Sequence, residues 1–143
     1  MSTMTTSPAT ALAEVHQSLL KDLTDLESLV QSSARGALAG VLDRLQTLRA
    51  DLAKHFRFEE ENGYMQAVLL RAPQQERQVH RLREEHDELW QGLVALMWQA
   101  REPPLEDDFR QGLQTWIGRV RDHERRENLL VEEAFNTDVA AED

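Results

Sequence analysis

Along four long stretches of this chain apolar residues recur every three or four positions, and in each stretch one place in that stripe is taken by a histidine. That period is the one at which side chains fall on one side of an α-helix, so each stretch predicts a helix with a single apolar face to bury. Only 6 glycines and 4 prolines occur in 143 residues, mostly where one segment gives way to the next, which calls for long helices joined by short connections. Four such helices in one chain of this length bury their faces most simply against each other. The expected fold is a single all-α domain, an up-down-up-down antiparallel four-helix bundle.

The first helix opens at Ser7-Pro8, a cap residue followed by proline in the first helical position, and carries Ala9, Leu12, Leu19, Leu23, Leu26 and Val30; residues 1–8 read as a flexible N-terminus. Ser32, Ser33 and Gly36 weaken it. A second pattern runs through Leu38, Leu42, Leu45, Leu48 and Leu52 to a stop at Asn62-Gly63. Residues 64–72, short and apolar, read as a turn of helix or an ordered loop rather than a full bundle member. The third helix is expected to start at Pro73, to present Val79, Leu82, Leu89, Leu93 and Leu96, and to end before Pro103-Pro104. The fourth presents Leu105, Phe109, Leu113, Trp116, Val120, Leu130 and Ala134, and residues 136–143 read as a polar tail. The helical domain is therefore residues 9–135.

Charge and composition remove several classes of function. With 26 acidic against 16 basic residues the net charge is -10, which repels phosphate backbones and anionic headgroups, so neither nucleic acid nor a membrane surface is expected as a partner. There is no cysteine, which excludes disulfides, thiolate metal sites and thiol nucleophiles and leaves nitrogen and oxygen as the only metal donors. The first ten residues lack the charged start and apolar run of a signal peptide, and no stretch of about 18 apolar residues occurs; a soluble, cytoplasmic protein is the expectation. No serine triad, phosphate loop or dinucleotide fingerprint is present.

The histidines carry the chemistry. The stripes read Leu12, His16, Leu19, Leu23; then Leu48, Leu52, His55, Glu59; then Val79, Leu82, His86, Leu89; then Trp116, Val120, His123, Glu127, Leu130. A lone inward histidine is more often a hydrogen-bonded core residue than a ligand. Four of them change that balance, because His16 and His86 lie early in the first and third helices and His55 and His123 late in the second and fourth. In an antiparallel bundle all four then meet at one level. His55-x-x-x-Glu59 and His123-x-x-x-Glu127 each place an imidazole and a carboxylate one turn apart on the same face. Two carboxylates buried so close together repel and stay protonated unless cations lie between them.

With one histidine, an H-x-x-x-E pair, one histidine and a second H-x-x-x-E pair on successive helices, the chain resembles the hemerythrin-like family, the HHE cation-binding domain, over about residues 9–135. The segments HFRFEEENGYM from His55 and EEHDEL from Glu84 are similar to the family's as well. What the resemblance implies is a four-helix bundle with two non-haem irons bridged by Glu59, Glu127 and an oxide, His16 and His55 holding one iron and His86 and His123 the other. It does not extend to the ligand set of the oxygen carriers, which use a fifth histidine and a final aspartate: Leu82 and Trp90 stand one turn either side of His86, and Glu127 follows His123 by four residues. About five ligands per iron leave an open position on each usually octahedral metal. The implied function is to bind, sense or react with O2, NO or peroxide; the alternative is a module that carries or stores O2 or iron without turnover. No catalytic residue is assigned.

The remaining polar residues read as surface. His80 adjoins Val79 and is expected to face solvent; Glu60, Glu61, Glu84, Glu85, Asp87 and Glu88 read as a charged outer face, with one of them available to bond a histidine ring nitrogen. Tyr64 and Met65 fall just past the histidine level, where core packing is the first reading and a cover over the site the second. Trp116 is core, while Trp90 and Trp98 are candidates for a subunit contact and hence a homo-oligomer.

Overall fold

The computed structural model describes residues 8–31, 40–61, 64–102 and 107–142, and every regular element among them is helical. In chain order these are α1 (Pro8–Gln31), α2 (Val41–Glu61), α3 (Tyr64–Arg71), a 3₁₀ turn (Pro73–Gln75), α4 (Glu76–Ala100) and α5 (Asp107–Glu142). Ser7, the break at Ser32, Ser33 and Gly36, Leu38, the stop at Asn62-Gly63, Pro103-Pro104 and Leu105 lie outside the described residues, as does the side chain of Ala9. No helix is long and apolar enough to cross a membrane among those described.

The buried positions follow one rhythm. In α1 they are Leu12, His16, Leu19, Leu23, Leu26 and Val30, and in α4 they include Val79, Leu82, His86, Leu89, Leu93 and Leu96, alternating steps of three and four. This alternation is what lets each helix present a continuous edge to two neighbours. α1 packs against α2 and α5, and α4 packs against the same two, so the four long helices enclose a common interior. Each leucine taken fully out of water there contributes about 1.5–3 kcal/mol.

Two elements differ from the sequence expectation. The third long helix starts at Glu76 rather than Pro73, because Pro73 begins the 3₁₀ turn, held by Gln75 N–H donating to the Ala72 carbonyl at 2.9 Å. α5 runs on to Glu142, past the point where a polar tail is expected; residues 136–142 contain neither proline nor glycine, and nothing in them forbids helix. The short apolar segment before Pro73 is a helix, α3, with Tyr64, Met65 and Val68 buried.

Two glycines in helix interiors answer differently to a methyl group. A Cβ at Gly92 of α4 meets Trp116 Cδ1 at 2.9 Å, and that ring is tied down by its Nε1–H, which donates to the Leu89 carbonyl at 2.9 Å. Gly118 of α5 has nothing within 4 Å of such a carbon. Gly118→Ala is therefore expected to stabilise by up to about 1 kcal/mol through helix propensity, whereas Gly92→Ala is expected to cost about 1–3 kcal/mol from overpacking; urea denaturation of both variants checks the opposite signs. A second test uses Asp22 of α1, pushed up to about 6 by burial and by the neighbouring Asp51 carboxylate. A carboxyl raised above its unfolded value of 3.8 destabilises increasingly as pH climbs from that value through the folded one. Asp22→Asn should raise the melting temperature at pH 7.5 and leave it unchanged near pH 3.5.

Candidate metal centre

One layer of the interior is not apolar. α1 contributes His16, α2 contributes His55 and Glu59, α4 contributes His86, and α5 contributes His123 and Glu127, and all six are at most 3 % exposed. The layer divides the core in two. On one side lies a cluster that includes Leu19, Leu52, Phe56, Leu89 and Val120; on the other Leu12, Tyr64, Met65, Leu82, Leu130 and Val131 pack together. In each long helix the histidine thus sits between a residue of one cluster and a residue of the other, which is how four separate stripes deliver their polar groups to a single height. α3 supplies Tyr64, Met65 and Val68 to the second cluster and so closes that side of the layer.

Within the layer the ligand-type atoms fall into two sets, His16, His55, Glu59 and Glu127, and Glu59, His86, His123 and Glu127, the atoms of each lying within 4.8 Å of one another. Both glutamates belong to both sets. Glu127 Oε1 is 3.3 Å from His16 Nε2 and 3.3 Å from His123 Nε2, with Oε2 3.5 Å from His86 Nε2. Glu59 Oε1 is 3.2 Å from His55 Nε2 and 3.4 Å from His86 Nε2, with Oε2 3.9 Å from His16 Nε2. His16 is thus grouped with His55, and His86 with His123.

Three of the imidazoles are oriented from behind. His86 Nδ1 lies 3.0 Å from Glu60 Oε2, His123 Nδ1 lies 2.6 Å from Glu85 Oε1, and His16 Nδ1 lies 2.9 Å from Asn128 Oδ1. Each oxygen accepts from an Nδ1–H, which in the neutral ring turns the Nε2 lone pair toward the layer. Glu85 is in turn held by Arg126 at 2.7 Å and Arg81 at 3.3 Å. No Nε2 of the four histidines and no oxygen of Glu59 or Glu127 has a hydrogen-bond partner, although all are buried. Without cations the layer carries a desolvation cost that no hydrogen bond offsets. Burial and then the charge of Glu127 push Glu59 well above the usual carboxylate range; burial also pushes Glu127 upward, but Glu59 and the surrounding imidazoles outweigh it and hold Glu127 well below. Burial and then the neighbouring His16 imidazole take His55 down to about 3. Orphaned lone pairs of nitrogen and oxygen converging on two points, with no thiol among them, are the donor set that an imidazole- and carboxylate-loving metal requires, and the residues fit such a group.

The structure also places residues beyond the six. Glu60 and Glu85, read as part of a charged outer face from which one residue is available to a histidine ring nitrogen, both bond rings, those of His86 and His123. Phe56 stacks on His86 with centroids 4.0 Å apart. Glu124 is fully inside, with both carboxylate oxygens lacking partners, and burial followed by Glu127 takes it up to about 8. A signal for it existed: Ile117 and Val131, seven residues before and after, are both buried, so α5 carries a second inward row beside the histidine row. The Tyr64 hydroxyl is likewise buried without a partner. His80, by contrast, is 60 % exposed beside Glu76, as expected of a residue off the stripe.

His55 is the cleanest probe of this layer, because neither of its ring nitrogens has a partner. In metal-free protein His55→Leu is expected to stabilise by about 1–3 kcal/mol, the desolvation cost of the groups it removes. In the presence of ferrous or zinc ions the order should reverse, with wild type the more stable; urea denaturation with and without chelator measures both.

Among curated proteins and among solved structures nothing matches the chain. The model of the hemerythrin HHE cation binding domain matches residues 7–134, which takes in α1 to α4, most of α5 and every residue of the layer. Cation binding is what a domain of that description does, and a buried layer of paired His–Glu sets is what cation binding asks of a helical interior: the chain belongs to the hemerythrin HHE cation-binding domain family.

Proposed function

We propose that this protein holds two iron ions in a carboxylate-bridged non-haem centre and uses it to bind, sense or react with O2, NO or peroxide. The observation that carries this reading is the double membership of Glu59 and Glu127, whose oxygens face histidines of both sets. His16 and His55 hold one ion, His86 and His123 the other, and the two glutamates span them. The helices run up-down-up-down, a reading supported by the early place of His16 and His86 in their helices and the late place of His55 in α2. Bound iron supplies redox-active metal with coordination positions that four protein donors per ion do not fill.

The chain's own residues do the rest. Glu85, Glu60 and Asn128 orient three imidazoles, and the carboxylates among them raise the basicity of the rings they touch. Leu12, Met65, Leu82 and Leu130 on one side and Leu52, Leu89 and Val120 on the other exclude water, which strengthens every electrostatic contact inside. Tyr64 offers a neutral O–H with no partner in the protein, placed by α3 where Glu59 and Glu127 both act on it, and that hydroxyl is free to donate to a small polar molecule in the layer. The apolar seal on both sides favours a second reading, a module that holds O2 or iron without turnover. Sustained consumption of peroxide or NO argues for the first, and a stable adduct that forms and releases repeatedly argues for the second.

Elemental analysis of protein from iron-supplemented cells is expected to give two irons per chain, one for each ligand set. Glu59→Ala and Glu127→Ala should each reduce that to one or none, since each removes a donor from both sets. One zinc per chain, or full loading of both variants, would be incompatible with the proposal.

A further inference from the structure

The two ligand sets are not equivalent. On the His86/His123 side each ring is backed by a carboxylate, Glu60 at 3.0 Å and Glu85 at 2.6 Å. On the other side His16 is backed only by the neutral amide of Asn128, and His55 by nothing. His55 instead forms part of the wall of a mainly apolar groove between α1 and α2 lined by Val15, Ser18, Leu19, Lys54 and Phe58. This poorer side is where Glu124 lies. Its Oε1 is 3.7 Å from His55 Nε2, and neither carboxylate oxygen has a hydrogen-bond partner although the residue is only 2 % exposed. Two donors bound to one metal at about 2.0–2.2 Å stand roughly 3–4 Å apart; the Glu124–His55 separation is of that size, while Glu124 stands just outside the set of His16, His55, Glu59 and Glu127 whose atoms all lie within 4.8 Å of one another.

We infer that Glu124 is an additional metal ligand, a terminal carboxylate on the ion held by His16 and His55. This rests on the two-metal reading above. Packing alone gives no reason to keep a carboxylate there: Ile117 and Val131 occupy the same row of α5 one heptad to either side, and an apolar residue at 124 would extend that row without a buried unpaired charge. The backed imidazoles at one ion and a terminal carboxylate at the other are two ways of supplying negative charge to a cation. They have different consequences. Glu124 takes a coordination position that the His86/His123 ion keeps open, so an added small ligand is directed to the His86/His123 ion.

The test uses full-length chain, stripped of metal and reloaded with ferrous ⁵⁷Fe, as wild type, Glu124→Ala and the nearly isosteric Glu124→Gln. Wild type should take up two irons that give two unequal Mössbauer doublets, and after oxidation bind one azide per chain. In both variants one iron should bind at least about tenfold more weakly, one doublet should move while the other stays, and a second azide should bind. Metal-free Glu124→Ala should melt higher than metal-free wild type, which shows that weaker loading does not come from a damaged fold. Variants that load two irons with unchanged affinity, unchanged doublets and one azide would overturn the role of Glu124 and leave the two-iron reading intact. A wild type that never takes a second iron would overturn that reading itself.

Discussion

Two carboxylates and four imidazoles buried at one height cannot satisfy each other. Each glutamate oxygen meets a histidine nitrogen at more than 3 Å without a hydrogen bond, and the charge of Glu127 raises the energy of a charge on Glu59. Everything else in the bundle accommodates that conflict. The apolar clusters above and below keep water from relieving it, and the outer oxygens of Glu60, Glu85 and Asn128 commit three rings to present a bare Nε2 inward. Such an interior is costly as an empty protein and favourable around cations, so binding free energy and folding free energy are joined in one layer.

The short helix α3 shows how the layer shapes the fold beyond its own residues. Without Tyr64, Met65 and Val68 the cluster on that side keeps Leu12 of α1, Val79 and Leu82 of α4, Leu130, Val131 and Ala134 of α5, and Ala72, and the polar layer loses the cover that α3 gives it. With α3 in place the polar groups have apolar walls on both faces, and the buried Tyr64 hydroxyl that α3 brings is set near Glu59 and Glu127.

Much of this was legible before any coordinates. All of Leu12, His16, Leu19, Leu23, Leu48, Leu52, His55, Glu59, Val79, Leu82, His86, Leu89, Trp116, Val120, His123, Glu127 and Leu130, read from spacing as one inward edge per helix, are buried. The exposed place of His80 followed from the same phase. What spacing left open was which residues beside the stripe reach a ring. Glu60 follows Glu59 and Glu85 precedes His86; from their acidic group one partner for a ring nitrogen was expected, and both serve, Glu60 from a partly exposed position and Glu85 from a buried one. Glu124 escaped that reading, since the inward face of α5 is two residues wide at its level and one stripe per helix is too narrow a template.

The sequence by itself determined the number of long helices, the face each buries, the absence of thiolate from any metal site, and the identity of the six polar residues that share a layer, because periodicity and residue chemistry are local properties of the chain. Only the tertiary structure decided which atoms of those residues face each other, that both glutamates serve both sets, that three rings are backed and His55 is not, and that Glu124 lies beside it. Those facts depend on the relative rotation and height of helices far apart in sequence, set by how leucines on four faces interlock, and no single helix carries that information.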